Sequence, residues 1–200
     1  MIEVLAVVLL AVATLGSAWC GYQATRWNGE EADFARQATD ARVEASRQFG
    51  LATQKVAYDA TMVAQYAQAY ADGNEKLIAF YRTALIRPEF LPVIDRWQQE
   101  LTAGTASPTN VFQDQQYLST EFADYTAADA HAIALNLESQ KASETGDDYV
   151  LTTLLLASAL FFAGVTTSFR MRIPRLLLLT FAALTIAYAT ARVVSLDISY

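Results

Sequence analysis

The side chains of this chain that could do chemistry are few and poorly placed for it. His131 is the one histidine. No HxxE or HExxH spacing surrounds it, so a solvated or capped imidazole is expected there rather than a metal ligand or a general base. Cys20 is the one cysteine, which rules out a disulfide within the chain and a paired-thiolate zinc site. There is no glycine-rich phosphate loop and no GxSxG turn. Carboxylates are plentiful, but 19 of the 21 fall between residues 24 and 148, mostly on helix surfaces where solvation is their ordinary role. The expectation is a non-enzyme with no catalytic, cofactor-binding or metal-ligating residues, no cofactor and no small-molecule ligand. An acidic chain also repels phosphate, which argues against nucleic acid as a partner.

The apolar residues are more informative. They make up 54% of the 200 residues, with a mean hydropathy of +0.19, and they gather in three runs. Val4 to Tyr22 holds 19 residues without a charge. As a helix this covers roughly 28 Å, the hydrocarbon thickness of a bilayer. The second run is Tyr149 to Phe169. The third, Ile173 to Val194, carries Arg175 and Arg192 near its ends, where long side chains snorkel to the interface. Three transmembrane helices are predicted, with the bilayer as the first partner. Gly16-Ser17-Ala18 offers a small-residue cleavage site, but no Lys or Arg precedes it, so the first run reads as an uncleaved signal anchor. Trp19 stands where a lipoprotein needs a small residue before its cysteine, so Cys20 is expected to be a buried or lipid-facing thiol.

The stretch FRMRIPR, residues 169 to 175, holds three arginines between two apolar runs. Short loops rich in Lys and Arg stay in the cytoplasm. The second helix then runs inward, the third outward, and the N-terminus lies inside. Residues 24 to 148 fall outside, with 10 Lys and Arg against 19 Asp and Glu. The expected order is transmembrane helix 1 over 1–23, an acidic extracytoplasmic domain over 24–148, helix 2 over 149–169, a cytoplasmic arginine loop at 170–174, helix 3 over 175–194 and an outer tail at 195–200. The location expected is a bacterial inner membrane.

The middle segment lacks period-two alternation and is rich in Ala, Gln, Glu and Arg, which predicts helix. From Phe34, apolar residues recur at Ala38, Ala41, Ala45, Phe49, Ala52, Val56, Ala60, Val63 and Ala67. This is an eleven-residue repeat of 3.67 residues per turn, suited to a straight seam against a partner or to one face of a bundle helix. Asp72-Gly73-Asn74 ends that helix, and Asn74 caps a shorter one carrying Leu77, Ile78, Tyr81 and Leu85. Pro88 ends this and introduces a helix through Phe90, Val93, Ile94, Trp97 and Leu101. Residues 104 to 110 form a loop, and a last helix runs from about Gln113 to Ser143 before Glu144 to Asp148 lead into the second apolar run. The fold class is therefore all-α: three transmembrane helices plus an extramembrane antiparallel bundle with one very long, Ala-rich helix.

Around the first junction, Trp19, Tyr22-Gln23-Ala24 and Trp27 precede the long Ala-rich helix. With the late helix pair split by an arginine loop, the chain resembles uncharacterised bacterial membrane proteins of the domain-of-unknown-function kind. That resemblance implies a fold outline and no activity. Physically, Trp19, Tyr22 and Trp27 suit an interfacial aromatic belt. Asn28 with Glu31 has the spacing of a cap that would restart a helix after Gly29, so the sequence leaves open whether the first helix continues unbroken.

Small residues recur every fourth position at Ala13, Ser17 and Gly21 and at Ala183, Ala187 and Ala191, the spacing that lets helices approach in lipid. These features predict a structural, scaffold or assembly subunit, partnered by further copies of itself or another membrane protein. The alternative is a channel-forming oligomer or transport-accessory protein. Thr153, Ser158, Thr166 and Thr167 would then line the pore, with Glu30, Glu31, Asp147 and Asp148 ringing its outer mouth.

Overall fold

The computed structural model describes residues 2–105, 114–169 and 171–199, with the backbone alone at Ile2 and Thr167. All regular structure among them is helical. Helix α1 spans Ile2–Ala71, α2 Glu75–Phe80, α3 Leu91–Thr102, α4 Gln115–Glu121, α5 Ala123–Val165 and α6 Arg172–Ser195. A π turn at Tyr81–Leu85 follows α2, and a 3-10 turn at Thr166–Ser168 follows α5.

Proline placement explains why two helices are so long. The four prolines are at 88, 92, 108 and 174, so neither α1 nor α5 contains the residue that removes a helical hydrogen bond and clashes with the preceding turn. Helix α1 accordingly runs 70 residues without a break. Asn28 does not act as a cap, since an N-cap forms only where the preceding backbone leaves the helix. Helix α5 likewise passes straight through Glu144 to Asp148, which were expected as a leader into the second apolar run. It stops at Val165, four residues before the expected Phe169. Where chain breakers do occur, the chain turns. Gly73 adopts a positive φ of 64°, which costs glycine nothing, and the Asn74 side chain accepts from the Leu77 amide at 3.1 Å. Pro92 sits in the first turn of α3. Asp114 caps α4 by accepting from the Tyr117 amide at 2.9 Å. The predicted loop at 104–110 and the predicted helix start at Gln113 lie largely outside the described residues.

The chain divides into two compact units, residues 1–37 with 134–200 and residues 38–133. The ends of the apolar runs set the expected domain limits at 24 and 148, and α1 and α5 each supply residues to both compact units.

In the first unit three helices meet through small side chains. Its core is Ala13, Cys20 and Ala24 on α1, Tyr149, Leu156, Ala159 and Ala163 on α5, and Ala182, Ile186 and Ala189 on α6. Beyond Tyr149, Leu156, Leu179 and Ile186, many large apolar residues point the other way: Leu15, Leu154, Leu177, Leu184 and Val194 are 62 to 82% exposed. Small inside and large outside reverses the water-soluble pattern and suits helices solvated by hydrocarbon. Each of the three helices is long and apolar enough to cross a membrane.

The packing corrects one expectation. Ala183, Ala187 and Ala191 face outward, and the neighbouring stripe of Leu179, Ala182, Ile186 and Ala189 is buried instead. Gly21 has open space around it, whereas Gly16 approaches Leu156 and Gly146 lies against α1. Spacing by four identifies stripes of small residues, and on an alanine-rich helix several stripes compete.

In the second unit the eleven-residue seam of α1 faces inward. Ala38, Ala45, Ala52 and Val63 are buried, and Phe49 is the one seam residue left half exposed. The hydrophobic centre is Val63, Tyr66, Ile86, Phe90, Val93, Ile94, Trp97 and Tyr117, so α3 and α4 cover the far part of α1. Polar links fix the turn between α2 and α3: Tyr58 donates to the Leu85 carbonyl at 2.7 Å, and Arg82 donates to Asp95 at 2.7 Å.

Close approach at Gly146 is directly testable. A Cβ there would stand 2.8 Å from Asn28 Oδ1 and 3.5 Å from Trp27 Cβ. Gly146→Val should push α5 from α1 and cost about 1 to 3 kcal/mol in detergent unfolding, while Gly21→Val should change stability by less than about 0.5 kcal/mol. If Gly21→Val is the more damaging, α1 presents a different stripe to its neighbours.

Candidate functional site

The second unit contains a polar cluster at its centre. Asp59 lies on the α1 seam side, one residue before Ala60, and is fully buried. An ionised carboxylate in such a place needs a cation and hydrogen bonds, since desolvation alone costs several kcal/mol. Arg87 supplies both from the turn ahead of α3. Its Nε lies 3.0 Å from Asp59 Oδ1, and its Nη2 lies 2.5 Å from Asp59 Oδ2. The same Nη2 donates to Glu121 Oε1 of α4 at 2.8 Å. Tyr117, one turn earlier on α4, donates its hydroxyl to Asp59 Oδ2 at 2.7 Å. Lys55 stands 3.8 Å from the second oxygen of Glu121. Arg87 thus bridges α1 and α4 through two carboxylates, with the planar fork geometry that lysine lacks.

The electrostatics follow from this geometry. The hydrogen bond to Asp59 holds the Arg87 guanidinium above its ordinary range against the opposing effect of burial, and Glu121 adds to it. Burial pushes the Tyr117 hydroxyl up, and the hydrogen bond to Asp59 pushes it further. The arrangement is therefore an ion triad with a neutral tyrosine, in which Arg87 Nε and Nη2 and the Tyr117 hydroxyl all donate to carboxylate oxygens.

A second constellation sits in the first unit, where the segment after α6 folds back. Gln23 is buried and clamps Ser199 on both sides: its Nε2 donates to the Ser199 carbonyl at 3.3 Å, and its Oε1 accepts from the Ser199 amide at 3.1 Å. Trp27 and the hydroxyl of Tyr149 both donate to the Asp197 carbonyl, at 3.1 and 3.0 Å. Beside them Arg192 pairs with Asp148 at 2.6 Å. The Tyr22-Gln23-Ala24 and Trp27 stretch is thus split by face. Trp19 and Tyr22 point outward with their rings 6.0 Å apart, as a belt requires, whereas Gln23 and Trp27 hold residues 197 to 199. The sequence signal was a glutamine at the end of the first apolar run, which marks a polar group in need of a partner.

Of the residues singled out for a pore, Thr153 donates to the Tyr149 carbonyl and Ser158 to the Leu155 carbonyl within α5, and Thr166 of the 3-10 turn donates to the Ala163 carbonyl of α5. Asp148 is engaged by Arg192, while Asp147 is exposed and Glu30 and Glu31 are half buried. The side chain of Thr167 lies outside the described residues. His131 is exposed on α5, and Cys20 is buried in the three-helix core.

The charge triad yields a prediction. Arg87→Met leaves two buried carboxylates without their cation and should destabilise the second unit by about 3 to 5 kcal/mol, whereas Tyr117→Phe should cost about 1 to 3 kcal/mol. The Tyr117 hydroxyl titrates higher in the folded state than in the unfolded one. Its contribution is therefore complete below pH of about 10 and declines as pH rises further. Alkaline unfolding followed by circular dichroism should thus be shallower in Tyr117→Phe than in the wild type, and an unchanged alkaline slope would contradict the buried placement.

No protein-family model, no curated protein and no solved structure matches this chain.

Proposed function

We propose that the chain is a non-enzymatic integral protein of a bacterial-type inner membrane, acting as a structural, scaffold or assembly subunit through helix packing. The observation that carries this reading is the use made of the buried polar groups. Asp59, Arg87, Glu121 and Tyr117 take up one another's donors and acceptors. Likewise, Gln23, Trp27 and Tyr149 spend theirs on residues 197 to 199. Such groups hold helices in a fixed arrangement, which is what a packing protein requires and what a site for turnover would have to undo.

Three helices with large apolar residues outward support insertion in the bilayer. Arg172 and Arg175 at the start of α6 support an inward-facing loop, and Arg175 lies 3.5 Å from Glu3, which brings the beginning of α1 to the same side. In this orientation residues 24 to 148 are extracytoplasmic.

Cysteine accessibility tests the orientation. In a Cys20→Ala background, Gln54→Cys should react with a membrane-impermeant maleimide in intact cells, and Ser168→Cys should react only after permeabilisation. Both positions are exposed in the fold. The opposite labelling pattern would place the acidic domain in the cytoplasm and overturn the orientation.

A further inference from the structure

We propose that residues 196–199 are a strap, held by its main chain, that closes one end of the three-helix core of the first unit to water and opens that end when released. The inference uses the bilayer setting proposed above and needs neither the assembly role nor the orientation.

Beneath the strap lies an apolar cleft of about 150 Å³. Gly16 and Cys20 of α1, Leu156 of α5, and Ala189 and Val193 of α6 line its inner part. Its rim is Val12 and Trp19 of α1 and Thr190 of α6, all exposed. The cleft thus opens sideways between α1 and α6, toward hydrocarbon in a bilayer. The inward stripes that line it run on to the strap. On α1, Gly16, Cys20, Gln23 and Trp27 are spaced 4, 3 and 4 residues apart, and on α6, Ala189, Val193 and Leu196 are spaced 4 and 3. On antiparallel α5, Tyr149 lies seven residues before Leu156. Each set is one face of one helix. The residues that hold the strap therefore stand about 5 to 10 Å beyond Cys20, at the end where α6 stops.

Among the described residues, the side-chain bonds that seat the strap are all made to its main chain. Gln23 donates to the Ser199 carbonyl and accepts from the Ser199 amide, while Trp27 and Tyr149 donate to the Asp197 carbonyl. The side chains of Asp197 and Ile198 are exposed. Position rather than sequence holds such a segment, since every residue supplies the same carbonyl and all but proline the same amide. Gln23 and Tyr149 are buried beneath it, and so is Cys20, one turn deeper. Release leaves the helices together, because Arg192 of α6 stays paired with Asp148 of α5 at 2.6 Å and the small-residue core does not involve residues 197 to 199. It does strand the Gln23 amide, the Trp27 indole N–H and the Tyr149 hydroxyl, which then take water in place of the strap. Water held there stands at the head of the stripe that leads to Cys20.

Cys20 is the one cysteine, so it reports the state of the strap without an added label. The full chain in nanodiscs is treated with membrane-impermeant trimethylammonioethyl methanethiosulfonate, and modification of Cys20 is followed by intact-mass spectrometry. Wild type should react slowly. Ser199→Pro, which removes the amide N–H, and Gln23→Leu, which removes both bonds to Ser199, should each react at least about tenfold faster, because thiol reactivity follows access. Asp197→Ala and Ile198→Ala change exposed side chains alone and should keep the wild-type rate. Circular dichroism should show wild-type helicity throughout. If Gln23→Leu loses helicity, Ser199→Pro decides, since position 199 lies beyond α6. The strap is overturned if wild-type Cys20 reacts as fast as in Ser199→Pro, or if a fully helical Ser199→Pro keeps Cys20 protected. It is overturned equally if Ile198→Ala opens the core as Ser199→Pro does, since side chains would then hold the segment. A wild type released from membranes by alkaline carbonate would instead overturn the bilayer setting.

Discussion

A helix of 70 residues has no interior of its own, and this constraint shapes most of the molecule. Helix α1 carries alanines along much of its length, and a stripe so shallow is covered only when another helix backbone comes close. In the first unit α5 and α6 meet it through alanine, cysteine and glycine. In the second, α5 covers the nearer part of the seam and α3 and α4 the farther part, where the core residues turn large and aromatic. The change from alanine to Tyr66, Phe90 and Trp97 is what a change from helix pairs to short crossing helices requires, because short helices enclose more space than parallel ones.

Short helices cannot hold themselves in place by burial alone. Helices α2 and α4 have 6 and 7 residues, below the length at which an isolated helix is stable in water. The Asp59, Arg87, Glu121 and Tyr117 group supplies the missing definition by linking α1, the turn before α3, and α4 through directional bonds. A buried ion triad is a poor source of net stability, since desolvation opposes it. Its strength is intolerance of alternatives, because any register that separates Arg87 from Asp59 strands a charge.

The two units bury different side chains with the same secondary structure. The first buries alanines and shows leucines and valines, and helices solvated by hydrocarbon gain from shape and close contact rather than from expulsion of water. The second buries aromatic and branched residues in the ordinary way and surrounds them with carboxylates. Both treat polar side chains as fasteners, with Gln23 holding a peptide unit and Arg87 holding two carboxylates. Along the α1 seam, Phe49 is where the covering by other helices stops.

The sequence by itself determined the all-helical class, the three apolar runs, the inward seam from Phe34 to Ala67 and the caps at Gly73 and Asn74. Each is a local or periodic property, set by proline placement, hydropathy and the 3.6-residue turn. What it left open was settled by distance along the chain. Asp59 and Arg87 are 28 positions apart, and Gln23 and Ser199 are 176 apart. No spacing rule joins such residues until the helices have been laid side by side. The choice between the Ala182 and Ala183 stripes of α6 was equally invisible, because both have small residues at nearly the same period. Only the rotation of α6 about its axis, fixed by where α1 and α5 leave room, decides which stripe is buried.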